Sequence, residues 1–262
     1  MKHHIRNLAI SIISALGMSA AYRAYRRTRG PLVRVIAFHD VKNNVWFQEV
    51  IEMLIGHYHV ISPEQFHAQE FDAQKINVLL TFDDGYQSWV DVCAPILKKN
   101  KLKALFFINS GLLDIAYDSS KVSLYMKERL LLTPKAPLTW DGSRTLLKEG
   151  HTIGGHSSNH YNLAVLDQSV LESEINGDKK RTEEQLGVTL TDFAYPFGRK
   201  KNYNPNVFGV VKQAGYTWQY SAMSCFDTST QVIPRTLIEK NQSMQSLKQW
   251  IEGGYDILTF LK

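Results

Sequence analysis

The chain has 262 residues, 44% of them hydrophobic, enough to bury one full α/β core, and no repeat or low-complexity tract divides it. Its net charge of +5 would suit a polyanion-binding surface only if it were spread over the body. It is not: Lys2, Arg6, Arg23, Arg26, Arg27 and Arg29 stand in the first thirty residues with no acid among them. Thirty basic residues less these six, against 25 acids, leave the remainder at −1, which argues against nucleic acid as a partner. Cys93 and Cys225 lie far apart in mostly apolar surroundings and read as two buried thiols, which fix no redox compartment.

Leu8 to Ala21 is apolar with interspersed serines, fourteen residues against the roughly twenty that span a bilayer. Three readings fit this segment. A secretory signal would use the small residues Ser19 and Ala21, but the arginines just beyond resist translocation. A short anchor would keep that basic flank on the cytoplasmic side, and a helix lying in the interface would set its Arg heads on anionic lipid. The expectation is a membrane-associating or signal-like segment over residues 1–30. Its contact would run through residues 5–29 at a bacterial inner membrane, with the side, and a secreted or periplasmic form, left open.

Gly30-Pro31 marks the boundary of a catalytic-size domain over residues 31–262. Leu32 to Phe38 reads as a buried strand that delivers His39 and Asp40 at its carboxyl end. Trp46 to Ile55 reads as an amphipathic helix, His57 to Ile61 as a short strand, and Ser62-Pro63-Glu64 as a helix start. His57, His59 and His67 have no companion at ligand spacing and read as structural.

Asn77 to Tyr86 is the stretch around which the rest is arranged: an apolar run that ends in Asp83, Asp84 and Gly85. A buried parallel strand delivers polar groups to the rim of a sheet in this way. Adjacent acids on an extended backbone face different neighbours, so one can hold a metal while the other handles a proton. On the pair alone, a turn whose aspartates cap the next helix, Ser88 to Lys99, fits equally well. Leu102 to Ile108 continues the strand–helix alternation of a parallel sheet, wound into a barrel. Asn109 to Leu138 reads as a loop with one helix, either shaping a groove at the rim or merely covering it.

Thr139 to Lys148 reads as a helix stopped at Gly150. In His151-Thr152-Ile153-Gly154-Gly155-His156-Ser157-Ser158-Asn159-His160, the histidines at 156 and 160 can converge on one metal, with Asp84 as the obvious third ligand. The charges on the helix Leu166 to Leu186 read as a solvated outer face. Thr191 to Gly198 repeats the strand-to-rim pattern, Tyr216 to Ala222 and Gln231 to Ile238 are the last strands, and Ser243 to Ile251 a closing helix.

Thr81-Phe82-Asp83-Asp84-Gly85, His156-Ser157-Ser158-Asn159-His160 and Phe193-Ala194-Tyr195-Pro196-Phe197-Gly198, in that order, resemble the polysaccharide deacetylases of carbohydrate esterase family 4, the NodB homology domain. The resemblance spans roughly residues 32 to 240. It implies an irregular (β/α) barrel and a divalent transition metal, usually Zn2+, held by Asp84, His156 and His160. It further implies Asp83 as general base and the Tyr195 backbone N–H as an oxyanion donor. The usual carboxyl-terminal acid histidine is missing from Asp256 to Lys262. His39 instead looks like the general acid of the circularly rearranged poly-N-acetylglucosamine deacetylases. The arginine expected before the tyrosine-proline pair is missing too, and Arg235 is the candidate to orient Asp83. The implied activity is removal of N-acetyl groups from N-acetylhexosamine units of a glycan. A lipid-linked N-acetyl sugar or a non-catalytic glycan-binding role are the rivals, and the oligomeric state stays open. A haloacid-dehalogenase-type phosphatase fits less well, because its two acids are separated by one residue and it leaves His156 and His160 unexplained.

Overall fold

Each apolar run becomes a strand in the computed structural model, which describes residues 2–226 and 230–260. The strands are β1 (Leu32–Phe38), β2 (His59–Ile61), β3 (Ile76–Asp84), β4 (Leu105–Ile108), β5 (Thr152–Gly155), β6 (Asp192–Ala194), β7 (Trp218–Tyr220) and β8 (Arg235–Leu237). Neighbours pair in the order β7-β6-β5-β4-β3-β1-β8, every ladder parallel. β2 pairs with β3 at residues 77–79, before β4 takes over the same edge at Thr81. The two ends of the sheet meet where the Ser221 N–H donates to the Ile233 carbonyl (2.8 Å) and the Ile233 N–H to that of Gln219 (2.7 Å). The result is the expected α/β architecture, a nearly closed, irregular (β/α) barrel.

Side chains alternate across the barrel wall, as the period of two requires. Val33, Val35, Leu79, Leu105, Phe107, Ala194, Tyr220 and Ile233 fill the interior. Leu32, Ile36, Phe38, Val78, Leu80, Phe82, Phe106 and Ile108 face the surrounding helices. Each Val, Leu, Ile or Phe buried in this way is worth about 1.5–3 kcal/mol. The alternation also decides which polar groups enter the barrel: Thr81, Asp83 and Arg235 share one buried hydrogen-bonded cluster.

Several elements differ from the sequence reading. His57 ends the helix Asn44–His57 instead of opening a strand. The segment after Ser88 begins as a π-helical turn, Trp89–Cys93, before Ala94–Lys99; Pro95, which cannot donate an N–H, sits at the junction. Asn109 to Leu138 holds two helices, Ser110–Asp114 and Ser119–Glu128, rather than one. A further helix, Gly254–Phe260, follows Met244–Ile251, and its Asp256 makes a fully buried pair with Arg34 (2.8 Å). Both cysteines are free thiols; Cys93 is buried and Cys225 half-buried. Leu261 and Lys262, the end of the stretch read for an acid histidine, lie outside the described residues, as does Met1.

Residues at the amino terminus form α1 (Lys2–Ala15) and α2 (Met18–Arg27), bent by 69° at Gly17, whose φ is +72°. No single described helix is long and apolar enough to cross a membrane. The pair packs onto the closing helices. Ile10 and Ile13 are buried, Arg6 holds Glu239 (2.7 Å), and Arg23 donates to the Glu252 carbonyl (2.9 Å). A Cβ on Gly254 would stand 2.8 Å from Ile10, so glycine there permits the close approach.

Candidate active site

The carboxyl ends of β1, β3, β5, β6 and β8 open onto one cleft of about 600 Å³, lined by His39, Asp83, Asp84, His156, His160, Tyr195 and Arg235 among others. All seven residues singled out in the sequence therefore meet at one rim. Asp83 points into the barrel and Asp84 away from it. At Asp84 the backbone turns out of the strand with φ +86°, a conformation that costs a non-glycine residue about 1–3 kcal/mol and is concentrated at functional sites.

Asp83 receives both ends of the Arg235 guanidinium at 2.7 Å, with side-chain exposures of 5% and 1%. Burial pushes its pKa up; the Arg235 charge and hydrogen bonds, with His156, hold it below the usual carboxylate range. Arg235 itself is fixed by the Ser221 carbonyl (2.9 Å) and packs over Phe107. It occupies the barrel interior because β8 is in register with β1, pairing Arg235 with Val35.

Asp84 Oδ1 lies 3.6 Å from His156 Nε2 and 3.5 Å from His160 Nε2. Ligands about 2 Å from a shared tetrahedral ion are about 3.3 Å apart, so the three atoms fit a divalent metal with little movement. The other ring nitrogens face carbonyls, which only accept. His156 Nδ1 therefore carries a proton to Ala194 (2.6 Å) and His160 Nδ1 one to Arg129 (3.3 Å). In the neutral rings that leaves both Nε2 lone pairs turned toward Asp84, the tautomer a metal ligand needs. Tyr86 Oη donates to Asp84 Oδ2 (2.8 Å). Burial opposes ionisation of Asp84, but the contact with His156 and the charge of the nearby imidazoles, when protonated, hold its pKa far down; the same contact raises His156 against its own burial. His160 is pushed down to about 4 by burial. A buried carboxylate that faces two imidazole nitrogens is suited to hold a cation.

The loop from His156 to His160 is held by residues that the sequence reading passed over. Asn109 Nδ2 donates to the His156 and Ser157 carbonyls (2.6 and 2.9 Å). Glu174 accepts from the Asn159 N–H and Nδ2 (2.8 and 2.6 Å), and Asp178 from the Ser110 and His156 N–H groups (3.0 and 3.2 Å). Burial raises the Asp178 pKa to about 7. Glu174 and Asp178 are thus buried, not part of a solvated face. Gly155 is required beneath this loop, since a Cβ there would meet Tyr216 and stand 2.9 Å from Asp178.

Tyr195 needs correction. Its backbone N–H donates to the Tyr220 carbonyl (3.0 Å) in the continuation of the β6–β7 ladder, so it is not turned toward the cleft. Two residues on, Phe197 has φ +60°, stacks edge-on against His160 at 4.6 Å and lines the cleft; its N–H has no acceptor among the described residues. His39 is half-buried at the mouth, and its carbonyl is anchored by Trp89 Nε1 (3.0 Å). Leu130, Leu131 and Leu132 from the irregular segment also line the cleft, which settles its place at the rim. His59 bonds Asn77 and His67 bonds Asp192, the structural roles expected of them.

Residues 71–218, more than half of the chain, match the family model described as polysaccharide deacetylase. The chain belongs to that family. A putative polysaccharide deacetylase of Bacillus subtilis, YxkH, is 27% identical over 140 residues, 53% of this chain and 42% of that protein. A chitin deacetylase of a Pestalotiopsis species is 28% identical over 118 residues, 45% of this chain and 33% of its own length. The chain thus aligns with less than half the length of these curated relatives. Among solved structures, the Streptococcus pyogenes deacetylase PplD, in complex with acetate, superposes with a TM-score of 0.67 at 21% identity, over 85% of this chain and 98% of that one. IcaB from Ammonifex degensii gives 0.66 at 18% identity, over 85% and 98%. At these identities the likeness is one of fold.

Proposed function

We propose that the chain is a metal-dependent hydrolase that removes N-acetyl groups from N-acetylhexosamine units of a glycan. The observation that carries this is the convergence of Asp84, His156 and His160 beside the buried Asp83–Arg235 pair in one cleft. Asp84, His156 and His160 would hold the ion, Zn2+ or another divalent transition metal. Such an ion, when bound, polarises an amide carbonyl and lowers the pKa of water to about 7. Asp83, kept anionic and aimed by Arg235, takes the proton of the attacking water. The Phe197 N–H, not that of Tyr195, donates to the carbonyl oxygen as negative charge grows on it. His39 protonates the departing nitrogen, so acetate and a free amine leave.

The amino-terminal pair supports membrane contact as a part of this reading. Ile5, Leu8 and Ile12 form an exposed stripe on α1, continued by the exposed Leu16 in the turn beyond it, with Arg26, Arg27 and Arg29 following, the composition of a helix lying on anionic lipid. It suits residence at a bacterial inner membrane and a lipid-linked N-acetyl sugar as an alternative substrate. The test is acetate release from N-acetylhexosamine oligomers by the full chain. Chelation should abolish release and added zinc restore it; release indifferent to chelation would refute the metal-dependent reading.

A further inference from the structure

His39 stands where two cavities meet. One is the cleft described above. The other, about 510 Å³, shares His39 and Leu132 with it and is lined further by Asp40, Trp46, Lys135 and Lys240. Asp40 is 4% exposed and accepts from Ser88 Oγ (2.8 Å), Lys135 Nζ (2.9 Å) and Lys240 Nζ (3.4 Å). Two ammonium groups on one carboxylate leave a surplus of positive charge in a half-closed space. Burial and then the neighbouring Lys135 lower the Lys240 pKa, the response of an ammonium short of counter-charge. Glu239, on the same wall, does not balance it, because Arg6 holds that carboxylate through two 2.7 Å bonds. Beyond residue 30 the chain has no excess of basic residues, so this positive charge is local to the cleft. A neutral acetylated sugar gains no charge pairing from a lysine pair, and a deacetylated one, itself an ammonium, is repelled by it.

We propose that the second cavity is an anion subsite: Lys135 and Lys240 hold a phosphate or carboxylate group carried next to the N-acetylhexosamine whose acetyl group is removed. The half-buried Trp46, its indole N–H fixed on the Gln242 carbonyl (2.8 Å), forms the apolar wall against which the rest of that unit lies. An entering anion makes charge-assisted hydrogen bonds to both ammonium groups and relieves their repulsion. The proposal rests on the deacetylase reading and narrows its substrate to an anionic one.

The test compares kcat/KM of the metal-loaded full chain on three substrates: a neutral N-acetylhexosamine oligomer, an oligomer of equal length with a neighbouring uronate, and a lipid-linked N-acetylhexosaminyl diphosphate. An anionic substrate should be favoured about ten-fold or more, equivalent to about 1.4 kcal/mol. The Lys135→Gln/Lys240→Gln double variant should lose that preference through KM. Preference for the diphosphate alone assigns the anion to the lipid carrier, and preference for the uronate alone to an acidic glycan. Equal kcat/KM on all three, or a preference that survives in the double variant, overturns the subsite. The single variant Lys240→Gln changes a side chain that is 58% exposed and should keep the fold. Its Kd for inorganic phosphate, measured on the full chain without added metal, should rise about five-fold over that of the unaltered chain. Unchanged phosphate binding refutes the subsite even if acetate is released. Weakened phosphate binding with no turnover of any substrate refutes the deacetylase reading and leaves the subsite standing.

Discussion

Arg235→Met removes the guanidinium that meets Asp83 through two 2.7 Å bonds, at a place where both side chains are at most 5% exposed. The cost is that of a buried carboxylate left uncompensated, about 3–5 kcal/mol, a large part of the 5–15 kcal/mol that holds a typical domain together. The sign with pH follows from the direction of the Asp83 shift. In the unaltered chain Asp83 is held below its unfolded value, so its contribution is present above that value and is lost as pH falls through the folded pKa. With Arg235 gone, burial dominates and the folded pKa rises, so stability is instead lost as pH climbs above the unfolded value of about 4. The gap between the two proteins should therefore be wider at pH 8 than at pH 5, by urea unfolding. The acid limb of kcat/KM should move to higher pH, because Asp83 must be anionic to accept a proton. Arg235→Met/Asp83→Leu, which removes the stranded charge, should recover most of the stability. An Arg235→Met protein within 1 kcal/mol of the unaltered chain at pH 8, with an unmoved acid limb, would refute this account of the pair.

Asp84→Ala deletes the oxygen that both imidazoles face, and zinc affinity by calorimetry should fall more than ~100-fold; affinity equal to that of the unaltered chain would remove Asp84 from the ligand set. His39→Ala should retain zinc but lower kcat by about 10²–10⁴, the span of a general acid; near-normal turnover would return His39 to a structural role. His151 accepts from the Ala104 N–H (3.2 Å), and burial, then Lys103, push its pKa down to about 4. The unfolded chain takes up that proton first, so stability should be full above about pH 6.5 and fall by up to about 3 kcal/mol as pH drops toward 4. His151→Gln should flatten this slope, and an identical slope in the variant would contradict it.

Strands were legible because a parallel sheet buried on both faces writes itself as unbroken apolar runs, and β1 and β3 carry that pattern most plainly. Asp83, Asp84, His156 and His160 were legible because acids and histidines set just past apolar runs are the groups from which a metal or proton site can be built. What sequence order could not carry was who meets whom across the barrel. Arg235 reaches Asp83 only through the β1–β8 register. Glu174 and Asp178 looked like surface charges until their four-residue spacing on the face of Leu171 and Ile175 turned them under the histidine loop. That spacing was the signal available for finding them. Tyr195 was misread because a motif gives the order of amides but not which of them the sheet has already used. The docking of α1 and α2 rests on the buried Ile10 and Ile13, the close approach that Gly254 permits and the contacts of Arg6 and Arg23, and sequence order does not say which helices those residues meet.

The most direct test of the central claim is Asp83→Asn, isosteric but unable to accept a proton as a carboxylate does. The full chain with stoichiometric zinc should release acetate from an N-acetylated glycan substrate. The Asp83→Asn protein, carrying the same zinc and folded to the same midpoint, should release none above background. Equal release by the two proteins would contradict the assignment of Asp83 as the base and, with it, the chemistry read from this site.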